Sequence, residues 1–243
     1  IGAGARTLAV TNTLGSTVPR EADETVFIRA GPEIGVAATK TFVSQVATVT
    51  LLAAHLGAAR NALSTQATRD LLTGVQELPG AVQQVLDQES AIKQAARTHA
   101  DSEAFFYIGR EAGYPVALES ALKLKEISYD HAEGFPSGEL KHGPLALVTP
   151  ETPVIALLTA GTEPRETLHN VKEVESRGAP VIGLSTLDDA DMYCAETVDL
   201  PEIGVLEAVV ANVATQLLAY HVAKLQDRNI DKPRNLAKSV TVQ

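Results

Sequence analysis

The chain repeats itself, and the repeat limits its fold more than any other feature. PEIGVAATKTFVSQVATVTLLAAHL begins at Pro32 and PEIGVLEAVVANVATQLLAYHVAKL at Pro201. Both open on the same five residues and continue as a long apolar helix with an internal Val-Ala-Thr. The segments ahead of them correspond as well. LAVTN, a turn and ETVFI (24–28) match VIGLS, a turn and ETVDL (196–200). Each reads as a short buried strand, a connection and a second strand. Two copies of one strand–turn–strand–helix unit predict a duplicated α/β domain.

The copies are unequal upstream. Ahead of the second lie a strand, AFFYIGR, a helix over 115–131, a strand, PVIALLT, and a helix, TLHNVKEVESRG. Such alternation predicts a doubly wound parallel sheet with helices on both faces, a three-layer flavodoxin-like α/β arrangement. The first copy has only Ile1–Arg6 before its LAVTN strand, and the sole methionine is Met192. The expectation is one complete copy plus the C-terminal part of a preceding copy, within a longer polypeptide. Residues 1–88 hold that part and connecting helices from about Arg60, and 89–243 hold the second copy with a C-terminal tail.

Composition narrows function by exclusion. The net charge of −10 argues against nonspecific nucleic-acid binding, which needs clustered Lys and Arg. It leaves room for a phosphorylated ligand, because a few local donors suffice. No eighteen consecutive residues are apolar, so no membrane span is expected. The single Cys194 cannot form an internal disulfide, which suits a reducing cytoplasm, and it has no companion at metal-ligand spacing.

The chemistry-bearing stretch is Pro115–Pro144, PVALESALKLKEISYDHAEGFPSGELKHGP. Pro115 fits a first helical turn. Glu119, Lys123, Glu126 and Asp130 fall three or four apart and share a helical face, with Leu118, Ala121, Leu122, Leu124 and Ile127 packing around them. Gly134, Pro136 and Gly138 break the helix, and GELKHGP puts His142 in a tight turn. Spacing alone describes a solvated, ion-paired face and a capping histidine. The whole string says more. ALKLKEISY, HAE and GELKHGPLAL resemble the second sugar-isomerase (SIS) domain of the glucosamine-6-phosphate synthases, the glutamine–fructose-6-phosphate aminotransferases. RNLAKSVTVQ resembles that family's C-terminal tail, and AGPEIGVAATKTF its first-domain helix.

Turning a ketose phosphate into an aldose amine requires ring opening, an imine, and a proton moved between adjacent carbons. The resemblance implies that Glu126 shuttles that proton and Lys123 assists beside the sugar. It implies that Lys238 forms the imine and that His142 opens the ring of the neighbouring subunit's sugar. It implies sugar contacts at Val36 and Ala37, with Thr39 close by. Fructose 6-phosphate and glucosamine 6-phosphate follow as ligands. A cytoplasmic homodimer, an upstream glutaminase domain, and no metal or organic cofactor follow too. Ala38 and Gln243 depart from the family pattern, the first losing a small hydroxyl and the second an acidic ending. The family's phosphate loops lie upstream of Ile1, so residues 1–243 alone are expected to be inactive. TAGTEPRE (159–166) offers only a poor phosphate cradle and reads as a structural remnant. Lys40 reads as a surface lysine opening a helix, and Leu236 and Val240 as residues pinning the tail. Two alternatives stand beside this reading. One is a SIS protein that deglycates or deaminates phosphorylated amino sugars. The other is a sugar-phosphate sensor, against which the joint presence of Glu126, Lys238 and His142 speaks.

Overall fold

The computed structural model describes residues 4–238. The first copy contributes β1 (Leu8–Thr11), the short helix α1 (Thr17–Glu21), and β2 (Glu24–Phe27), which pairs parallel with β1. The apolar helix α2 (Lys40–Ala59) follows. Then come the connecting helices α3 (Thr65–Asp87) and α4 (Glu89–His99). The hydroxyl of Ser64 caps α3 by accepting a hydrogen bond from the Ala67 N–H at 3.1 Å.

The second copy holds the longer run of elements. It runs β3 (Ala104–Gly109), α5 (Gly113–Ser128), β4 (His131–Pro136), β5 (Val154–Leu158), α6 (Pro164–Glu175), β6 (Val181–Ser185), β7 (Glu196–Asp199) and α7 (Glu207–Leu225). Its five strands form one parallel sheet in the order β4-β3-β5-β6-β7. The central strands AFFYIG, VIALL and VIGLS are near-continuous apolar runs because both faces of the sheet are covered. Alternation divides them between two cores. Phe105 and Tyr107 face α4, α5 and α7, whereas Phe106 and Ile108 face α6. The expected α/β parallel sheet is borne out.

Several local expectations are corrected. The helix of the chemistry-bearing stretch ends at Ser128, where Tyr129 turns left-handed at φ 74°. Asp130 therefore does not share the helical face of Glu119. What reads as a broken helix and loop is the edge strand β4. Gly134 lies within it because a Cβ there would come 2.7–2.9 Å from the backbone of Ala117 and Leu118, so glycine lets α5 cross β4 closely. Leu118 and Leu122 are exposed, leaving Ala121, Leu124 and Ile127 to pack. In β1 and β2 only Ala9 is buried, so these are not two buried strands.

The two apolar helices have different surroundings. Both are long and apolar enough to cross a bilayer by length and composition, although neither contains an unbroken apolar run of eighteen residues. Most of α7 is core, packed on α3, α4 and α5, so it needs no subunit partner to cover it. Its repeat counterpart α2 buries only Ala54 fully, although half of its residues are partly covered and it packs on α3. Leu78, Ala81 and Val85 of α3 enter the same core as α7, which joins the connecting segment to the second copy.

Candidate active site

Helix α5 carries a buried charge cluster. The Lys123 side chain is only 5% exposed, with its ammonium 3.3 Å from Glu119 Oε1 and 2.8 Å from Glu126 Oε2. This is not a solvated face. Helix α7 lies across α5, and Ser120 Oγ meets Thr215 Oγ1 at 2.7 Å at their contact. Burial raises the pKa of Glu119; Lys123 opposes this and Glu126 adds to it. The contact from Lys123 to Glu126 has the distance of an ion pair but not the angle of a hydrogen bond. Oε2 of Glu126 thus lacks a hydrogen-bond partner among the described residues. One ammonium between two carboxylates leaves one of them with free acceptor capacity.

A second cluster gathers at the turn before α2. Lys238, far along the chain, returns to this turn. Its Nζ donates to Glu33 Oε2 at 2.6 Å, to the Gly35 carbonyl at 2.8 Å and to the Val36 carbonyl at 3.5 Å. Glu33 also accepts from the Thr39 N–H at 2.9 Å and the Thr41 hydroxyl at 2.6 Å. Burial pushes the Glu33 pKa up. The Lys238 ammonium, the Thr41 hydroxyl and the N–H groups of Thr39 and Thr41 outweigh it and hold the carboxyl at about 2. Glu33 is a site residue that the sequence does not mark. The repeated PEIGV is the one signal it carries, and the repeat counterpart Glu202 is exposed, so the motif alone does not single it out.

The tail reaches this turn through backbone and ring contacts. The Val36 N–H donates to the Asp231 carbonyl at 3.0 Å, and the Arg234 N–H donates to the Tyr129 hydroxyl at 2.8 Å. Leu236 is 45% exposed and does not pin the tail, and Val240 and Gln243 lie outside the described residues. A cavity of about 330 Å³ opens here between Glu33, Ala37, Thr39, Ile127 and Tyr220. Lys40 is exposed at the start of α2 and donates to the Pro32 carbonyl at 2.7 Å.

Lys238 is thus brought to Val36, with Ala37 and Thr39 in the same turn, and Lys123 is brought to Glu126. No hydrogen bond or ion pair links these two clusters among the described residues. His142 ends a 3₁₀ helix over Ser137–His142, is exposed, and makes no hydrogen bond or ion pair among the described residues. In the loop after β5, the buried hydroxyls of Thr159 and Thr162 lie 3.2 Å apart and face each other, not an open crevice. A larger cavity of about 710 Å³ sits by His99, Glu103 and Thr152, at the N-terminal ends of the strands. Open α/β sheets bind ligands at the opposite, carboxyl ends, which sets this cavity aside, and the smaller one, lined by the segment that follows β2 and by the Glu33 that pairs with Lys238, is the candidate.

One family model covers segments of both copies of the duplicated unit. The chain belongs to the SIS domain family, whose model matches residues 2–55 and 100–225. Among curated relatives, a glutamine–fructose-6-phosphate aminotransferase (isomerizing) from Halobacterium salinarum is 67% identical over 99% of this chain and 40% of its own length. One of the same name from Methanosarcina acetivorans is 48% identical over 98% of this chain and 39% of its own. This chain therefore spans about 40% of the relatives it matches. Among solved structures, the C-terminal domain of glucosamine-fructose-6-phosphate aminotransferase from Francisella tularensis superposes with a TM-score of 0.88. It is 34% identical, over 93% of this chain and 65% of that one. A glucosamine-6-phosphate deaminase from Thermotoga maritima superposes at 0.75 with 26% identity, over 98% of this chain and 67% of that one.

Proposed function

We propose that this chain is the sugar-isomerising part of a glutamine–fructose-6-phosphate aminotransferase of the cytoplasm. It would convert fructose 6-phosphate to glucosamine 6-phosphate with ammonia released from glutamine by a separate domain. The observation that carries the reading is the return of Lys238 to the Gly35–Val36 turn. A primary amine held beside the sugar-contacting turn is what imine formation at the C2 carbonyl needs, water being the leaving group. Lys238 is paired with Glu33, so it must leave that partner and lose a proton before it attacks. Ammonia displaces the lysine amine from C2, which frees Lys238, and Glu126 then moves the proton from C1 to C2, with the Lys123 ammonium 2.8 Å away keeping the carboxylate in place. Val36, Ala37 and Thr39 contact the sugar. The exposure of His142, which makes no hydrogen bond or ion pair among the described residues, suits ring opening across a two-fold dimer, next to the partner's sugar. High identity to aminotransferases favours this reading over the deaminase reading.

The test is Glu126→Gln in the full-length protein. The expected outcome is fructose 6-phosphate binding within about threefold of wild type and isomerisation reduced by about 10²–10⁴, the range for an acid–base group. Near-normal turnover would return Glu126 to a structural ion pair.

A further inference from the structure

We propose that Tyr129 is a positioning residue that holds Lys238 in register with Glu126, an inference that rests on Lys238 being the imine-forming amine. Tyr129 stands three residues beyond Glu126, immediately past α5. Its φ of 74° is the left-handed conformation that glycine usually fills at a helix end. A bulky aromatic kept in that conformation needs a reason beyond ending the helix.

The surroundings supply one. Ser128 Oγ accepts the Asp130 N–H at 3.2 Å, and Asp130 Oδ2 accepts the Gln226 side-chain amide at 2.8 Å, which fastens the turn to the end of α7. The Tyr129 ring is thereby presented to the tail. The guanidinium groups of Arg228 and Arg234 lie over it, 5.3 and 4.3 Å from its centroid. The phenolic oxygen accepts the Arg234 N–H at 2.8 Å. Ring and hydroxyl thus grip one tail residue by its side chain and its backbone.

Geometry turns that grip into control of Lys238. Arg234 precedes Lys238 by four residues, which span at most about 14 Å when extended. The Asp231 and Lys238 contacts tie the tail to the turn before α2. Tyr129 ties it to α5, the helix that carries Glu119, Lys123 and Glu126. Tyr129 therefore sets the offset between the amine that would form the imine and the carboxylate that would move the proton.

The test compares Tyr129→Leu and Tyr129→Phe with wild type in the full-length protein, supplied with fructose 6-phosphate and glutamine. Both variants are expected to melt with the wild type. Tyr129→Leu should lower kcat by about 10–100-fold with KM within about threefold, because a misplacement near 1 Å can cost about 10²-fold. Tyr129→Phe keeps the ring and should lose less. The yield of borohydride-trapped sugar on Lys238 should fall in the same order. Wild-type kcat and trapping in Tyr129→Leu would overturn the proposal, as would equal losses in both variants that follow a lowered melting midpoint. Should Tyr129→Leu fail to fold, unchanged kcat and trapping in Tyr129→Phe would overturn it. A wild-type protein that traps no sugar on Lys238 would instead remove the reading of Lys238, and this proposal with it.

Discussion

The same five residues, PEIGV, meet opposite fates at two places in the chain. The Glu33 side chain is 7% exposed and ion-paired with Lys238, whereas Glu202 is exposed, because the C-terminal tail folds back onto the first copy of the motif. The following positions diverge too. Ala38 in the first copy corresponds to Glu207 in the second, a buried carboxyl whose pKa burial raises. Glu33 carries the clearer prediction. Its folded pKa lies below the ordinary 4.5, so its contribution to stability is full above that value and is lost as pH falls toward about 2. Glu33→Gln should cost about 1–2 kcal/mol at neutral pH, discounted because water screens the half-exposed Lys238. Denaturant titrations of both proteins should show the difference shrinking between pH 4.5 and 2. A difference that grows on acidification would contradict the pairing.

At the scale of elements, the sheet is readable from the residues and the edges of the site are less so. Strands β3, β5 and β6 are legible as apolar runs, and α7 as the partner of a repeated motif. Strand β4 is hidden because Gly134 and Pro136 look like breakers, and only the close passage of α5 explains the glycine. The burial of Lys123 is equally hidden, since helical spacing does not reveal that α7 packs across α5. The tail contact of Lys238 with Glu33 joins residues separated by 205 positions, beyond the reach of any local pattern. The glycine gives a test of the crossing between α5 and β4. Gly134→Ala should lower stability by about 1–3 kcal/mol through overpacking against α5, seen as a lower thermal midpoint. An unchanged midpoint would mean that α5 and β4 are not packed as closely as described.

At the scale of the molecule, α2 and His142 both lie open on the described fold. Helix α2 is the repeat counterpart of a core helix yet buries only Ala54 fully, and His142 is exposed and, among the described residues, makes no hydrogen bond or ion pair with Glu126's cluster. On the proposed reading, His142 serves the partner's site. Mixed dimers of full-length His142→Ala and Glu126→Gln chains should then regain partial activity, because one of their two sites keeps both groups. Activity no higher than that of either parent would count against sharing. The central claim is that Lys238 forms an imine with the sugar. The direct measurement is borohydride reduction of the full-length protein with fructose 6-phosphate, followed by mass spectrometry of the tail peptide. The account predicts a hexose phosphate adduct on Lys238, and an adduct on another lysine, or none, would contradict it.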